Sequence, residues 1–173
     1  MGLHDLIGAE VLWISRPGMR WGDVFTFIST QLFYTTPPDM LVIHCGGNSI
    51  GALPLLDLRL KMFETISELA TILPNTLLVW SEILPRSCWR YMSSTIAAEK
   101  SRIRLNNAIA THVLNLGGAY IKHLELNKYN NHMFSLDGVH LSELGNNVFL
   151  DTLQGALYLF SQTHSSVYPD HMY

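Results

Sequence analysis

The fold is decided by the segment Met40-Leu41-Val42-Ile43-His44-Cys45-Gly46-Gly47, a continuous apolar run that ends at two glycines. A strand covered on both faces is apolar throughout, whereas a half-exposed strand alternates between apolar and polar side chains. The segment Thr76-Leu77-Leu78-Val79-Trp80 has the same continuous apolar character. Both segments are therefore predicted to be buried strands of one sheet.

Outward from these two runs, strand-like and helical patterns alternate along the chain. Glu10–Ser15 is predicted as a strand before them, and Ala119–Lys122 as a weaker strand after them. Apolar residues at helical spacing predict helices over about Trp21–Leu32, Leu55–Leu73 and Ile96–Leu116, and a last one capped by Ser142. This alternation predicts an α/β fold, a three-layer α/β/α sandwich with a parallel sheet. We expect one domain over 1–173, with a core of about 10–160 and a frayed tail over 161–173.

Composition limits the classes of function. The 173 residues are 48% hydrophobic and carry a net charge of -3, which gives no general electrostatic reason to bind nucleic acid. The basic run from Arg86 to Arg104 is interpreted as a solvated helix face. Cys45 and Cys88 have no metal-ligand spacing, and the eight histidines are scattered, so neither a metal nor another cofactor is expected. No apolar run could span a bilayer, and we expect a cytoplasmic protein that does not bind membranes.

Ligands of parallel α/β sheets bind outside the carboxyl ends of the strands, so the loops at those ends are where a site is expected. One of these loops carries Asp137 three residues before His140, and a carboxylate that orients an imidazole makes it a usable general base. Asn48 follows the Met40 strand, and its amide together with the N–H of Gly18 could hold an oxyanion. The alternative interpretation is that Asp137-Gly138 and the Gly46 segment are ordinary turns.

Four motifs, in this order along the chain, resemble those of the SGNH (GDSL-type) hydrolases, especially the SGNH-like sequences of vertebrate retroelement-derived reading frames. They are Arg16-Pro17-Gly18-Met19-Arg20-Trp21, Val42-Ile43-His44-Cys45-Gly46-Gly47-Asn48, Trp80-Ser81-Glu82-Ile83-Leu84-Pro85-Arg86 and Asp137-Gly138-Val139-His140-Leu141-Ser142. The resemblance implies a flavodoxin-like SGNH hydrolase fold. It also implies that the chain hydrolyses esters of lipids, acylated sugars or small acyl compounds without a metal or organic cofactor.

The resemblance assigns a role to each matching residue. Gly18 and Asn48 would be the oxyanion-hole donors, His140 the general base, and Asp137 the acid that orients it. The chain departs from the family pattern because the first block, a strand followed by the nucleophilic serine, is missing. Only Met1–Glu10 precede the strand that leads into the Gly18 segment, and they contain no serine. The nucleophile is therefore unknown.

Three other serines lie at predicted strand ends, and they are weak substitutes for that nucleophile. Ser15 is the least implausible of them, and Ser81 is expected to be structural. Cys45 is a further alternative, but it is adjacent to His44 in a strand, where the two side chains point to opposite faces and do not form a local dyad. Three hypotheses stay open: a truncated, weakly active or inactive esterase domain, a non-catalytic binding or assembly module, and a degenerate reading frame that hardly folds. A small acyl ester is the expected substrate or ligand, and the oligomeric state is left open.

Overall fold

The computed structural model describes residues 10–170, which contain a four-stranded parallel sheet. The strands are β1 (Met40–Ile43), β2 (Leu77–Ser81), β3 (Ala119–Ile121) and β4 (Val167–Tyr168), and they lie side by side in this order. Residues Met40 and Leu77 start the β1–β2 pairing, which runs in register to Ile43 and Trp80. The predicted buried strands therefore form the sheet, as neighbours and in parallel.

Four α-helices surround the sheet. They are α1 (Val24–Tyr34), α2 (Leu55–Ile72), α3 (Thr95–Asn115) and α4 (Glu143–Gln162), and a 3₁₀ turn over Trp21–Asp23 precedes α1. The predicted cap of the last helix is confirmed, because the Ser142 hydroxyl accepts a hydrogen bond from the Gly145 N–H at 3.0 Å. The helix α3 ends before Gly117, whose φ of 80° is a conformation that glycine adopts without steric conflict.

The two faces of the sheet bury different helices. Alternate strand residues Leu78, Trp80 and Tyr120 share one apolar cluster with the helices α2 and α3. The intervening residues Val79, Ala119 and Ile121 pack in a second cluster with α4, through its residues Leu153, Ala156 and Phe160. Helices therefore cover both faces, and the predicted three-layer α/β/α fold is confirmed.

The predicted strand over Glu10–Ser15 is wrong for the described chain, because these residues have no regular secondary structure. Leu12 and Trp13 are 65% and 60% exposed. A β-rich composition becomes a strand only where a neighbouring strand supplies hydrogen bonds and packing. Within residues 10–170, the sheet gives this segment no such neighbour.

The prediction of a frayed tail is also wrong as far as residue 170. The helix α4 continues to Gln162, and Val167–Tyr168 then joins the sheet as β4. The N–H of Tyr120 donates to the Ser166 carbonyl at 2.8 Å, which fixes this last strand against β3. The remaining tail residues, 171–173, lie outside the described residues.

The basic run from Arg86 to Arg104 does not form one solvated helix face. Arg102 is buried, and it donates to the Ile83 carbonyl at 2.7 Å and to Glu99 at 2.8 Å. Arg86 precedes the helix and lies in the loop after β2. Two residues of the run therefore have other roles: Arg102 forms a structural ion pair with Glu99, and Arg86 lies at the carboxyl edge of the sheet.

Candidate active site

The loop before α4 brings Asp137 and His140 together in a compact turn. One carboxylate oxygen of Asp137 accepts the backbone N–H groups of Val139 at 2.9 Å and His140 at 3.0 Å. The other oxygen is hydrogen-bonded to His140 Nδ1. Gly138 has a φ of 70°, which lets the chain reverse between the acid and the imidazole. The hydrogen bond from the His140 side chain, followed by those from the backbone, lowers the pKa of Asp137 to about 2.

This pair is open to solvent. The His140 side chain is 79% exposed and that of Asp137 is 48% exposed. Because Nδ1 faces the carboxylate, the other ring nitrogen, Nε2, is the one that can take a proton from a reacting group. The geometry is therefore that of an imidazole held in one orientation and accessible to a ligand.

The predicted oxyanion donors lie in two loops that contact each other. Asn48 is in a 3₁₀ turn directly after β1, and its Nδ2 donates to the Met19 carbonyl at 3.3 Å. Gly18, the residue before Met19, has a φ of 69° and no heavy atom within 4 Å of the place a Cβ would occupy. The space around Gly18 is therefore free for the close approach of another group.

Arg86 connects these loops to the loop of Asp137 and His140. Its Nη1 donates to Asn48 Oδ1 at 2.9 Å, and a Cβ on Gly47 would lie 2.6 Å from its Nη2. Burial lowers the pKa of the Arg86 guanidinium, and the negative charge of Asp137 raises it. The Asp137 carboxylate therefore interacts electrostatically with Arg86. The neighbouring Ser87 N–H donates to the Gly138 carbonyl at 2.9 Å. The loops that carry the four predicted residues are therefore neighbours at the carboxyl edge of the sheet, connected through Met19, Arg86 and Ser87.

Sequence reasoning missed Arg86, although it quoted the residue within a family-like block. A usable signal was present, because Arg86 lies in the loop after β2, beside the loops that carry the other predicted residues. Because the basic run was interpreted as a solvated helix face, Arg86 was not considered as a site residue.

None of the serines considered as substitutes reaches the imidazole. Ser15 lies in the irregular segment before Gly18 and is exposed. The Ser49 hydroxyl is buried and accepts the Trp21 N–H at 2.8 Å. Within residues 10–170, no serine hydroxyl is hydrogen-bonded to His140. The nucleophile therefore stays unassigned.

A second imidazole cluster lies at the same edge but inside the protein. The Ser81 hydroxyl lies 3.0 Å from His44 Nδ1 and 2.8 Å from His123 Nε2, and Phe149 of α4 stacks on the His123 ring. Burial, followed by the charge of His44, lowers the pKa of His123 to about 3. Desolvation also lowers the pKa of His44 to about 4, although this residue is exposed. Sequence reasoning did not find this cluster because it joins three elements that are distant along the chain.

The residues that the structure describes contain no group of three side chains arranged to hold a metal ion. Among the described helices, none combines the length and apolar character needed to cross a membrane.

Comparison with solved structures relates this fold to hydrolases. A candidate platelet activating factor from Streptococcus pneumonia is 20% identical with a TM-score of 0.69, and the match covers 90% of this chain and 77% of that one. A candidate SGNH hydrolase from Slackia heliotrinireducens is 16% identical, with a TM-score of 0.66 and coverage of 90% and 88%. A GDSL-like lipase from Bacteroides thetaiotaomicron is 17% identical, with a TM-score of 0.66 and coverage of 81% and 71%.

No protein-family model and no curated protein matches the sequence. At these identities the structural likeness establishes the fold. The chain therefore has a flavodoxin-like α/β fold, and its structural neighbours are SGNH and GDSL-type hydrolases.

Proposed function

We propose that this chain is an SGNH hydrolase-like esterase or acylhydrolase domain, which as given is truncated and weakly active or inactive. One observation carries the proposal: the imidazole of His140 is oriented by Asp137 and accessible, and its loop is bonded to the loop of Arg86, which in turn binds the Asn48 amide. We infer that these residues line one crevice. The family origin in retroelement-derived reading frames and a cytoplasmic location are also proposals, and only the sequence supports them.

The chemistry of the crevice suits a carboxylic ester. A hydroxyl nucleophile would attack the ester carbonyl and transfer its proton to His140 Nε2, while Asp137 stabilises the imidazolium. The Asn48 amide would donate to the oxyanion of the tetrahedral intermediate, and one such donor is worth roughly 3 kcal/mol. His140 would then return the proton to the leaving alcohol. Because members of such a unit act together, a chain without the nucleophile should lose most of the rate.

A non-catalytic binding module is the second candidate function. The observation that favours it is the hydrogen bond from Arg86, a charged group, to the amide expected to serve as the oxyanion donor. A crevice with these hydrogen-bond donors could bind an acyl ligand without hydrolysing it.

Hydrolysis of a short-chain p-nitrophenyl ester tests the catalytic proposal. We would compare purified Met1–Tyr173 with a version extended by the first strand and Gly-x-Ser block of a structural neighbour. We expect activity in the extended version, lost on His140→Ala, and weak or no activity in the shorter one. Inactivity of a folded extended version would contradict the catalytic proposal.

Efficient hydrolysis by the shorter chain, lost on His140→Ala, would show that it already contains a nucleophile. Ser15→Ala is the first variant to make in that case, and Ser49→Ala is the matched control because that hydroxyl is already bonded to the Trp21 backbone.

A further inference from the structure

Arg86 is a cation that forms no ion pair with a carboxylate in the described protein. Within residues 10–170, no carboxylate lies within ion-pair distance of Arg86. A guanidinium has five N–H donors in a planar fork. The described structure uses one of them, in the bond to Asn48 Oδ1. Most of the donor capacity of this cation is therefore available to a ligand.

The surroundings of Arg86 make an unmatched charge unfavourable. The side chain is half-buried, lies against Gly47, and has its Cζ atom 5.6 Å from the centre of the Trp89 ring. Burial is the main influence on this guanidinium, and it disfavours the charged form. A cation that has lost part of its hydration is stabilised by an anion that bonds its free donors.

The bond to Arg86 also fixes which end of the Asn48 amide is available. Since Oδ1 accepts from the guanidinium, Nδ2 is directed toward the Met19 carbonyl, beside Gly18. With a cation bonded to its oxygen, the amide has one Nδ2 N–H left to donate to a ligand. Asn48 and Arg86 therefore present donors, and together they suit a ligand rich in acceptors.

We infer that this crevice binds a free carboxylate, with Arg86 as its charged partner and Asn48 as a second donor. The inference rests on the proposed acyl-binding crevice and extends its ligands from neutral esters to acyl anions. Planar carboxylates match the guanidinium fork, which can donate two parallel hydrogen bonds to one carboxylate. Asp137 also interacts electrostatically with Arg86, so its negative charge repels an anion bound there. This repulsion is stronger for the phosphate dianion than for a carboxylate monoanion.

An NMR titration of the isotope-labelled chain Met1–Tyr173 tests this inference. The probes are hexanoate, its neutral isosteric amide hexanamide, methyl hexanoate and inorganic phosphate, all at one ionic strength and pH 7. We expect hexanoate to shift the side-chain amide of Asn48 and the Nε–H of Arg86. We also expect it to bind about tenfold more tightly than hexanamide, and more tightly than phosphate.

Variants separate the role of Arg86 from general electrostatics. Arg86→Gln should weaken hexanoate binding about tenfold and leave hexanamide binding within about twofold. Arg90→Gln is the matched control, because it removes the same charge from an exposed position in the same loop. It should change hexanoate binding by less than about twofold. Thermal unfolding of each variant establishes that it is folded.

The comparison of hexanoate with hexanamide on the unaltered chain decides the inference even if Arg86→Gln does not fold. Equal affinity for the two, or tighter binding of phosphate, would overturn it. Binding of methyl hexanoate without binding of hexanoate would overturn the inference and leave the proposed acyl crevice standing. If none of the acyl probes shifts Asn48, the proposed crevice and this inference both fail.

Discussion

The carboxyl edge of the sheet contains two imidazole sites that differ chiefly in their exposure. In the exposed site, His140 is bonded to Asp137 and most of its ring faces solvent. In the buried site, His123 is bonded to the Ser81 hydroxyl, is covered by Phe149 and has no exposed surface. Both sites pair a histidine with an oxygen, but only the first leaves a ring nitrogen accessible to a ligand.

This difference shows that a histidine near a hydroxyl is not by itself a catalytic pair. Burial lowers the pKa of His123 well below neutrality, so that this ring stays neutral, and the Ser81 hydroxyl is out of reach of any substrate. His140 instead has a carboxylate to stabilise its charged form and space for a reacting group. We therefore expect changes in the buried site to alter stability and changes in the exposed site to alter function.

The largest effect expected from this comparison is that of His123→Ala. The substitution removes a fully buried ring from its stack on Phe149 and takes one partner from the Ser81 hydroxyl. We expect a loss of about 3 kcal/mol in the free energy of unfolding, measured by urea denaturation. His44→Ala is the matched control and should cost about 1 kcal/mol, because His44 is exposed. Equal losses for the two variants would contradict the assignment of His123 to the core.

The second expected effect is a dependence of stability on pH. The unfolded chain protonates His123 below its ordinary pKa of 6.5, whereas the folded chain protonates it only near pH 3. The stabilisation is complete above pH 6.5 and is lost as the pH falls from 6.5 toward 3. One such group contributes a slope of up to about 1.4 kcal/mol per pH unit.

Urea denaturation at several pH values measures this slope, and His123→Phe serves as the control because it keeps a ring at the position but cannot titrate. Asp137 acts in the same direction only below its ordinary pKa of 3.8, and His44, whose pKa is also lowered from 6.5, contributes in this window to both proteins. A comparison of the two proteins between pH 4 and 6.5 therefore isolates His123. Parallel curves in this window would contradict the prediction.

A smaller effect is expected from Gly138→Ala, which tests how tightly the exposed pair is held. The new Cβ would meet the Ser87 hydroxyl in addition to straining a φ of 70°. We expect a loss of about 2 kcal/mol in the free energy of unfolding. Gly18→Ala has nearly the same φ but open space around the Cβ, so it should cost only about 1 kcal/mol. Equal effects would show that contact with Ser87 contributes nothing.

The smallest effect on stability is expected from His140→Ala. Its ring is mostly exposed, and the backbone N–H groups of Val139 and His140 still bond to Asp137 after the substitution. We expect the free energy of unfolding, measured by urea denaturation, to change by less than about 0.5 kcal/mol. A loss comparable to that of His123→Ala would remove the distinction between the two sites.

The parts of this molecule that the sequence predicts are those governed by local patterns. The continuous apolar runs that begin at Met40 and Thr76 identify two neighbouring strands, and the Ser142 cap places the start of α4. The Asp137–His140 pair is also local, since one carboxylate can reach a ring and two backbone N–H groups within a single turn.

The parts that the sequence does not predict depend on long-range contacts. The segment at Glu10–Ser15 has a strand-like composition, but its structure depends on a partner that no local pattern reveals. The Ser81 cluster joins residues 37 and 42 positions apart, and the bond from Arg86 to Asn48 spans 38 positions. A strand that adds to an existing edge, as β4 does, is likewise visible only once the rest of the sheet is in place.

The irregular segment before Gly18 has a spectroscopic consequence. Of the four tryptophans in the chain, Trp21, Trp80 and Trp89 are buried, whereas Trp13 is mostly exposed. Acrylamide should therefore quench the Trp13 fluorescence selectively and leave that of the core indoles largely intact. If another strand pairs with this segment, the same indole should lose its accessibility to the quencher and shift its emission to shorter wavelength. The chain thus carries an intrinsic optical reporter of whether its first described residues have found a partner.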